Sequence, residues 1–441
     1  MGELSTDIIK NALKKLIVRT NVSVGSDVYA AILEKYSKSS DRKYAQILKN
    51  LSIARKTNRP ICQDTGVCIF FIEIGREFPL CSFDIKRIVE ESVSEAYKEN
   101  HFRKSMAENI FERVNTGDNT PPVIYIDIVE GNSIKFSLEV KGGGSENVSA
   151  IKMMPPSAGE EGVFEFIKET LSNAKDKGCP PYVIGVGLGG TLEKAALLSK
   201  KALTLHLDSE KNDFEKKIED ALKDFDILGV RVLDYPTHIA SMAVSVNLCC
   251  HCSRHGGVEI FSDGEVRFCD DFDYEMMEEV EIPSDDIVEL NTYQCDEIKK
   301  LSKGMHVLLS GEIYTARDMA HKRMFDSLNR GEELPFDLKN KIIFYAGPCP
   351  NAPGEVIGPV GPTTSARMDK YLDMCEKQEV LATIGKGARG VESGLVYFTT
   401  TGGVACLLQQ CIKKSELVAY GDLGPEAIYR LEIEKFPVVV S

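Results

Sequence analysis

Three places in the chain set cysteine among glycine, proline and polar residues: Cys62 in "CQDTG", Cys179 in "GCPP", and the run "CCHCSRH" over 249–255. Thiolates are nucleophiles and metal ligands, and three readings of these are open. Most free cysteines are small buried hydrophobes. A closed zinc site takes four ligands, usually as two close pairs. Cys249 and Cys252, with His251, offer one such pair, but Cys62 and Cys68 straddle an apolar run and do not make a second. In the third reading Cys62, Cys179 and one member of the 249–252 cluster hold an iron–sulfur cluster. Three ligands leave one iron of a four-iron cluster without a protein partner, a Lewis acid comparable to the open position of catalytic zinc.

The cationic residues suggest what such a centre would act on. In "ARDMAHKRM" Arg317 and His321 stand at i,i+4, on one helix face. In "GPTTSAR" Thr363 and Arg367 have the same spacing if a helix starts just after Pro362. A guanidinium grips a carboxylate through two parallel hydrogen bonds, which an ammonium cannot do. A solvated helix face is the plainer reading of any single arginine, but these lie beside Gly/Pro loops. "GVGLGGT" over 185–191 follows an apolar strand, yet it lacks the G-x-G-x-x-G spacing and a Walker lysine. Its glycines serve either a tight strand–helix turn or backbone N–H groups facing an anion. Together with "NTGDNTP", "KGGGSEN", "PTHIA" and "GKG", these segments form a ribbon of polar, Gly-rich strand ends along the chain. Such a ribbon implies one site assembled from many loops on rigid strands.

The elements that must position these residues are legible in outline. "MGELSTDIIKNALKKL" reads as a helix capped near Ser5 to Asp7, and "GSDVYAAILEKYSKS" as one capped by Ser26 or Asp27. "FDIKRIVEESVSEAYKEN", "TLEKAALLSKKAL" and "ARDMAHKRMFDSLNRG" read as helices; "VCIFFIEI", "PPVIYIDIV", "SIKFSLEVK", "PPYVIGVGLGG", "KIIFYAGPCP" and "VLATIG" read as strands. The acidic stretch 276–290, broken by Pro283, separates two differently organised parts, 1–275 and 291–441. A chain of 441 residues is long enough for two or three domains.

The net charge of −14 excludes a basic nucleic-acid surface. It would also repel a small dianion, so such a substrate requires a local cluster of Arg and Lys. No apolar run is long enough for a membrane span. The start matches a loose Gly2 acylation pattern with Thr6, but no polybasic stretch adds a second membrane signal. Thirteen cysteines without a secretion signal point to reduced thiols in the cytoplasm.

In order, "ICQDTG", "NTGDNTP", "KGGGSEN", "GCPPYVIGVGLGGT", "PTHIASMAVSVN" and "CCHCSRH" resemble the N-terminal part of class I fumarate hydratases. "GEIYTARDMAHKRM", "YAGP", "GPVGPTTSARMD" and "IGKG" resemble the C-terminal part, which some members carry on a separate subunit. L-tartrate dehydratase shares the pattern. The resemblance implies reversible hydration of fumarate to malate by a 4Fe–4S cluster with three cysteine ligands and one open iron. Carried over by motif, the ligands are Cys62, Cys179 and Cys250, although Cys249 and Cys252 flank the third and depart from the family pattern. Substrate contacts fall on Gln63, Arg103, Gly143, His238, Arg317, Arg367 and Lys386, and the catalytic pair on Thr363 and Asp64. The implied fold is an α+β N-terminal region with mixed sheets carrying the cluster. A smaller α/β C-terminal domain of swivelling type closes over it. A homodimer is implied as well.

In this reading Thr363 takes the C3 proton of malate. A threonine hydroxyl is a poor base at pH 7, so a cation such as Arg367 must favour its alkoxide. Asp64 handles the proton on the hydroxyl side. Dehydration of L-tartrate is the alternative within the family. An iron–sulfur redox sensor is the non-enzymatic alternative, but it would not need Arg317, Thr363, Arg367 and Lys386 together.

Overall fold

The apolar run "VCIFFIEI" and the alternating "SIKFSLEVK" become neighbouring antiparallel strands, Val67–Gly75 and Ser133–Lys141, at the centre of a five-stranded sheet. The computed structural model describes residues 4–39, 41–174, 177–277 and 279–441; Gly2, and position 278 of the expected linker, lie outside them. Val123–Val129 runs parallel to Val67–Gly75 at one edge, and His255–Phe261 and Val266–Phe268 extend the other. Helices Thr6–Val22 and Ile85–Glu99 bury Leu13, Leu16, Val89 and Val93 against Phe70, Phe136 and Leu138 of this sheet. Ser5 and Asp84 cap these helices, accepting from the backbone N–H groups of Ile8 and Arg87.

Helix Ser26–Lys38 departs from the expected cap. Its N-cap is Gly25, which offers no side chain. Asp27 turns inward instead, accepting the Leu207 N–H at 2.8 Å and lying 3.5 Å from His255 Nε2. A buried imidazolium satisfies that carboxylate better than an exposed helix end does. The pairing holds Asp27 below the usual carboxylate range against burial, and raises His255 to about 9.

A four-stranded sheet follows in the order Ala150–Met154, Met242–Cys249, Tyr182–Gly189, Ile227–Tyr235. Its glycine-rich strand resolves the two readings of "GVGLGG". Helix Leu192–Ala202 lies so close that a Cβ on Gly185 or Gly187 would stand 2.1 Å from the carbonyl oxygens of Ser199 and Ala195. Gly189 and Gly190, at φ +77° and +64°, make the turn into that helix. The glycines serve close packing and the turn.

The C-terminal part is a seven-stranded mixed sheet. Strands His306–Thr315, Ile342–Phe344, Ala382–Gly385 and Val396–Thr399 run parallel in register. The long strand Ile428–Val440 pairs antiparallel with both the first and the last of them, closing the set into a ring. Ile287–Asn291 joins this sheet at its edge, and Ile412–Ala419 flanks the long strand. The chain therefore has mixed α/β sheets in two regions, and the two share a core. Leu48, Leu51 and Ile61 from the N-terminal part lie in one apolar cluster with Phe344, Leu407 and Phe436. Asn50, 1% exposed, stitches the parts together: Nδ2 donates to the carbonyls of Ile61 and Gly403, and Oδ1 accepts from the N–H groups of Cys406 and Leu407. Among the described residues no helix is long and apolar enough to cross a membrane.

Replacing Gly187 by alanine pushes a methyl group into the Ala195 carbonyl. It should destabilise the protein by roughly 1–3 kcal/mol. Thermal unfolding checks this: the midpoint should fall, and an unchanged midpoint would contradict the close-packing role.

Candidate active site

Strand register brings the distant segments together. Val183 pairs with Cys249 across antiparallel strands, so Cys179, just before one strand, meets Cys250, just after the other. Val67 pairs with Lys141, which sets the 62–66 turn against the "GGG" segment. Glu139 pairs with His255, carrying residues 250–254 to the same corner. From the other part, Arg317 follows Thr315, the 345–364 loop follows Phe344, and Lys386 follows Gly385. These are C-terminal ends of parallel strands, where open α/β sheets place ligands.

Between them lies a cavity of about 120 Å³, lined by Cys62, Gln63, Asp64, Arg103, Cys179, Cys250, Arg317, Thr363, Arg367 and Lys386. That is smaller than a drug-sized pocket, and suits a small ligand. Gly142 and Gly144 also line it; Gly143 lines the wider vestibule outside, and its N–H donates to Asp64 Oδ2 at 2.9 Å. His238 is not brought there. It lies on an exposed loop, where its Nδ1 accepts from the Ala240 N–H at 3.2 Å.

The three cavity thiols differ in electrostatic setting. The neighbouring Cys252 thiol holds Cys62 below its ordinary value, against burial and with help from Arg254. The neighbouring thiols of Cys249 and Cys252 hold Cys250 well below it. Burial pushes the Cys179 thiol up, and the Lys386 ammonium, with Nζ 2.8 Å from Cys179 Sγ, opposes that. Cys249 and Cys252, each 2% exposed, do not line the cavity. Cys249 faces Glu139 at 3.6 Å, and Cys252 lies 3.4 Å from the Gly403 carbonyl. His251 is pushed down to about 4 by burial, so it is neutral and donates Nε2–H to the Gly402 carbonyl. Gly402 must be glycine, since a Cβ there would stand 2.4 Å from Cys179 Sγ.

Thr363 is fixed through its backbone: its N–H donates to the Tyr345 carbonyl at 2.7 Å, and its carbonyl accepts from the Lys386 N–H at 3.1 Å. Its hydroxyl accepts from Arg367 Nη1 at 3.2 Å. The helix after it is a 3-10 turn, Ser365–Tyr371, that starts later than Pro362, yet the Thr363–Arg367 contact forms. Arg367 is aimed by Asp318, with Nε to Oδ1 at 3.0 Å and Nη2 to Oδ2 at 2.7 Å. Arg317 Nε lies 3.4 Å from the same carboxylate and 3.5 Å from Glu426. His321 stays out of the site: it lies edge-on to Tyr345 and stacks on Tyr371 in the core, and burial lowers it to about 4. Burial opposes ionisation of Asp64, but Arg103 and Arg254 outweigh it and hold the carboxyl below its usual range. Gln63 reaches the cavity because Gly361 has no Cβ; one would stand 2.4 Å from Gln63 Oε1.

Outside the cavity, the vestibule is lined by seven cationic side chains (Arg103, Lys104, Arg113, Lys141, Lys177, Arg317, Arg367) against three carboxylates (Asp64, Asp422, Glu426). That local excess counters the net charge of −14. Two contributors had a sequence signal but no assigned role: Arg254 in "CCHCSRH" and Asp318 in "ARDMAHKR". A separate group, Asp27, His206 and Asp208, also gathers ligand atoms within 4.8 Å of one another. It lies away from this cavity, with Asp27 against His255 and His206 Nε2 3.1 Å from Asp270.

The cavity residues fit a thiolate-held inorganic centre. They supply three thiols from three separate segments, a Gly402 cradle that leaves room at Cys179, and two cations, the buried Arg254 and the half-buried Lys386. The family comparisons agree in kind. The family model for fumarate hydratase (Fumerase) matches residues 7–259, and that for the fumarase C-terminus matches residues 264–441. The chain belongs to this fumarate hydratase family. It is 30% identical to the anaerobic class I fumarate hydratase of Escherichia coli (strain K12), over 93% of this chain and 83% of that protein. It is 29% identical to the mitochondrial fumarate hydratase 1 of Leishmania major, over 90% of this chain and 80% of that protein. A putative L(+)-tartrate dehydratase subunit alpha of Methanocaldococcus jannaschii is 34% identical over 55% of this chain and 90% of its own length.

Metal-free protein treated with iodoacetamide should be alkylated at Cys62 and Cys250, whose thiols are held below their ordinary value, before the buried Cys68 and Cys375. Burial pushes the latter two up to about 12. Peptide mass spectrometry over time reads the order; equal rates at all four would contradict this electrostatic ranking.

Proposed function

We propose that the protein is a class I fumarate hydratase, a hydro-lyase interconverting fumarate and L-malate. Cys62, Cys179 and Cys250 would hold a 4Fe–4S cluster with one iron free of protein ligands. The observation that carries this reading is the meeting of those three thiols with Arg103, Arg317, Arg367, Lys386 and Thr363 around one small cavity. When bound, such a cluster supplies a Lewis acid that makes the C2 hydroxyl of malate a better leaving group.

The residues of the chain do the rest. Arg317, Arg367 and Lys386 hold the substrate carboxylates and stabilise charge that gathers on the carboxylate next to C3. Thr363 Oγ1 takes the C3 proton, with Arg367 Nη1 donating to it and favouring the alkoxide. Asp64, whose carboxyl Arg103 and Arg254 hold below its usual range, takes a proton from the attacking water during hydration and returns it to the departing hydroxyl during dehydration. Gln63, Arg103 and the Gly143 N–H orient the substrate and Asp64 around it.

The same reading divides the chain into a cluster-binding domain over 1–275, a linker over 276–290, and a domain over 291–441. The description of the last as a swivelling type has one support: Arg317, Thr363, Arg367 and Lys386 all ride on it, so a rigid rotation carries them together. A cytoplasmic location is supported by thirteen free cysteines. A homodimer is supported by the edge strand Val123–Val129, which leaves Ile126 50% and Ile128 58% exposed. Light scattering should give twice the 48.8 kDa chain mass; a monomer at every concentration would contradict it.

Dehydration of L-tartrate is a second reading, favoured by the M. jannaschii relative, whose match is confined to 55% of this chain. Anaerobically reconstituted protein given fumarate, L-malate or L-tartrate separates the two. Turnover of fumarate and malate is expected, and exclusive turnover of tartrate would overturn the first reading. Thr363→Ala should lower kcat by about 10²–10⁴-fold with iron content unchanged; full activity would remove Thr363 from the role of base.

A further inference from the structure

Arg254 heads the largest fully buried side chains among the described residues, at 2% exposure, and it lines the cavity. A guanidinium in that position is costly unless a negative charge faces it. Among the described residues no carboxylate oxygen lies within 4.0 Å of it as a salt-bridge partner, unlike Arg103, Arg317 and Arg367. Its Nη1 donates to the Asp64 backbone carbonyl at 2.6 Å. Its Nη2 stands 3.2 Å and 3.4 Å from where a Cβ on Gly66 or Gly142 would be, so those glycines leave the guanidinium its space. Its Nε has no hydrogen-bond partner. The charges that offset its burial are the sulfurs of Cys62, Cys250 and Cys252, with Asp64 after them. The side chain is thus anchored at one nitrogen, unsatisfied at another, and its charge is matched chiefly by thiols.

We propose that Arg254 is the buried counter-cation of the thiolate-held cluster and the residue that positions the Cys62–Asp64 turn beneath it. This rests on the cluster reading given above. A cluster bound by three thiolates is net anionic, and its reduction potential depends on nearby charge, on hydrogen bonds to its sulfurs and on burial. Arg254 supplies a permanent positive charge and a free donor from the buried side. It therefore raises the potential and retains the metal. It also holds Asp64 by the backbone, so the carboxylate keeps its aim while its charge is shared with Arg103. It is a positioning residue, because it acts through the cluster and through Asp64.

The test compares wild type, Arg254→Lys and Arg254→Gln, all purified without air and reconstituted. Circular dichroism reads the fold, chemical analysis reads iron and sulfide per chain, EPR-monitored titration reads the reduction potential, and an iron chelator reads the rate of cluster loss. Arg254→Gln should fold as wild type, titrate at a more negative potential, and lose iron about 10–100-fold faster. Arg254→Lys, which keeps the charge, should recover most of the potential. A folded Gln variant with native potential and native iron retention would overturn the assignment. So would loss of fold in both variants, which would make Arg254 a packing residue. Wild type without iron or sulfide would overturn the cluster reading itself and this assignment with it, an outcome distinct from the other two.

Discussion

The contact between Lys386 Nζ and Cys179 Sγ, 2.8 Å apart, joins a cation of the C-terminal part to a thiol of the N-terminal part. Each group favours the charged form of the other. Burial opposes the ammonium, and the sulfurs of Cys179, Cys62 and Cys250 restore it. The requirement is mutual: thiols gathered in a small cavity need buried positive charge, and buried positive charge needs thiolates. The cavity can therefore form only when both parts of the chain are docked. The shared apolar core and the three hydrogen bonds of Asn50 that cross it, to Gly403, Cys406 and Leu407, provide that docking. Asn50 holds Ile61, next to Cys62, and Gly403, next to the glycine that makes room for Cys179. One buried amide thus sets the spacing between two of the thiols.

Charge is organised on two scales. The chain as a whole is acidic, at −14, which opposes an incoming dianion. The vestibule reverses the sign locally, and the cavity below carries the cations inward. Three of the arginines are aimed by groups behind them: Arg367 by Asp318, Arg317 by Glu426 and Asp318, Arg103 by the Gly347 carbonyl and Asp64. Such aiming removes side-chain freedom before substrate arrives, so less entropy is lost on binding.

The local elements were legible because their signals are local. "SIKFSLEVK" alternates and is a strand, and Ser5 begins a helix as its sequence implies. The Ser26–Asp27 cap was misjudged because Asp27 answers to His255, more than two hundred residues away in sequence. The glycines of "GVGLGG" could not be read uniquely, since only the position of helix Leu192–Ala202 shows why Gly185 and Gly187 lack side chains. The ribbon of polar strand ends implied a single composite site, and of the residues that the family resemblance assigns to it all but Gly143 and His238 line one cavity. Arg254 and Asp318 were not assigned because a buried arginine and an aiming carboxylate look like ordinary charged residues until their surroundings are known. Which cysteine of the 249–252 run faces the cavity depends on strand register, which a single sequence does not contain.

The most direct test of the central claim is iron and acid-labile sulfide analysis, with EPR, on protein purified without air. It should be run on wild type and on a variant with Cys62, Cys179 and Cys250 all replaced by serine. The account predicts one 4Fe–4S cluster per wild-type chain and none in the variant, which should retain its fold. Wild type devoid of iron and sulfide, or a serine variant that keeps its cluster and its turnover, would contradict it.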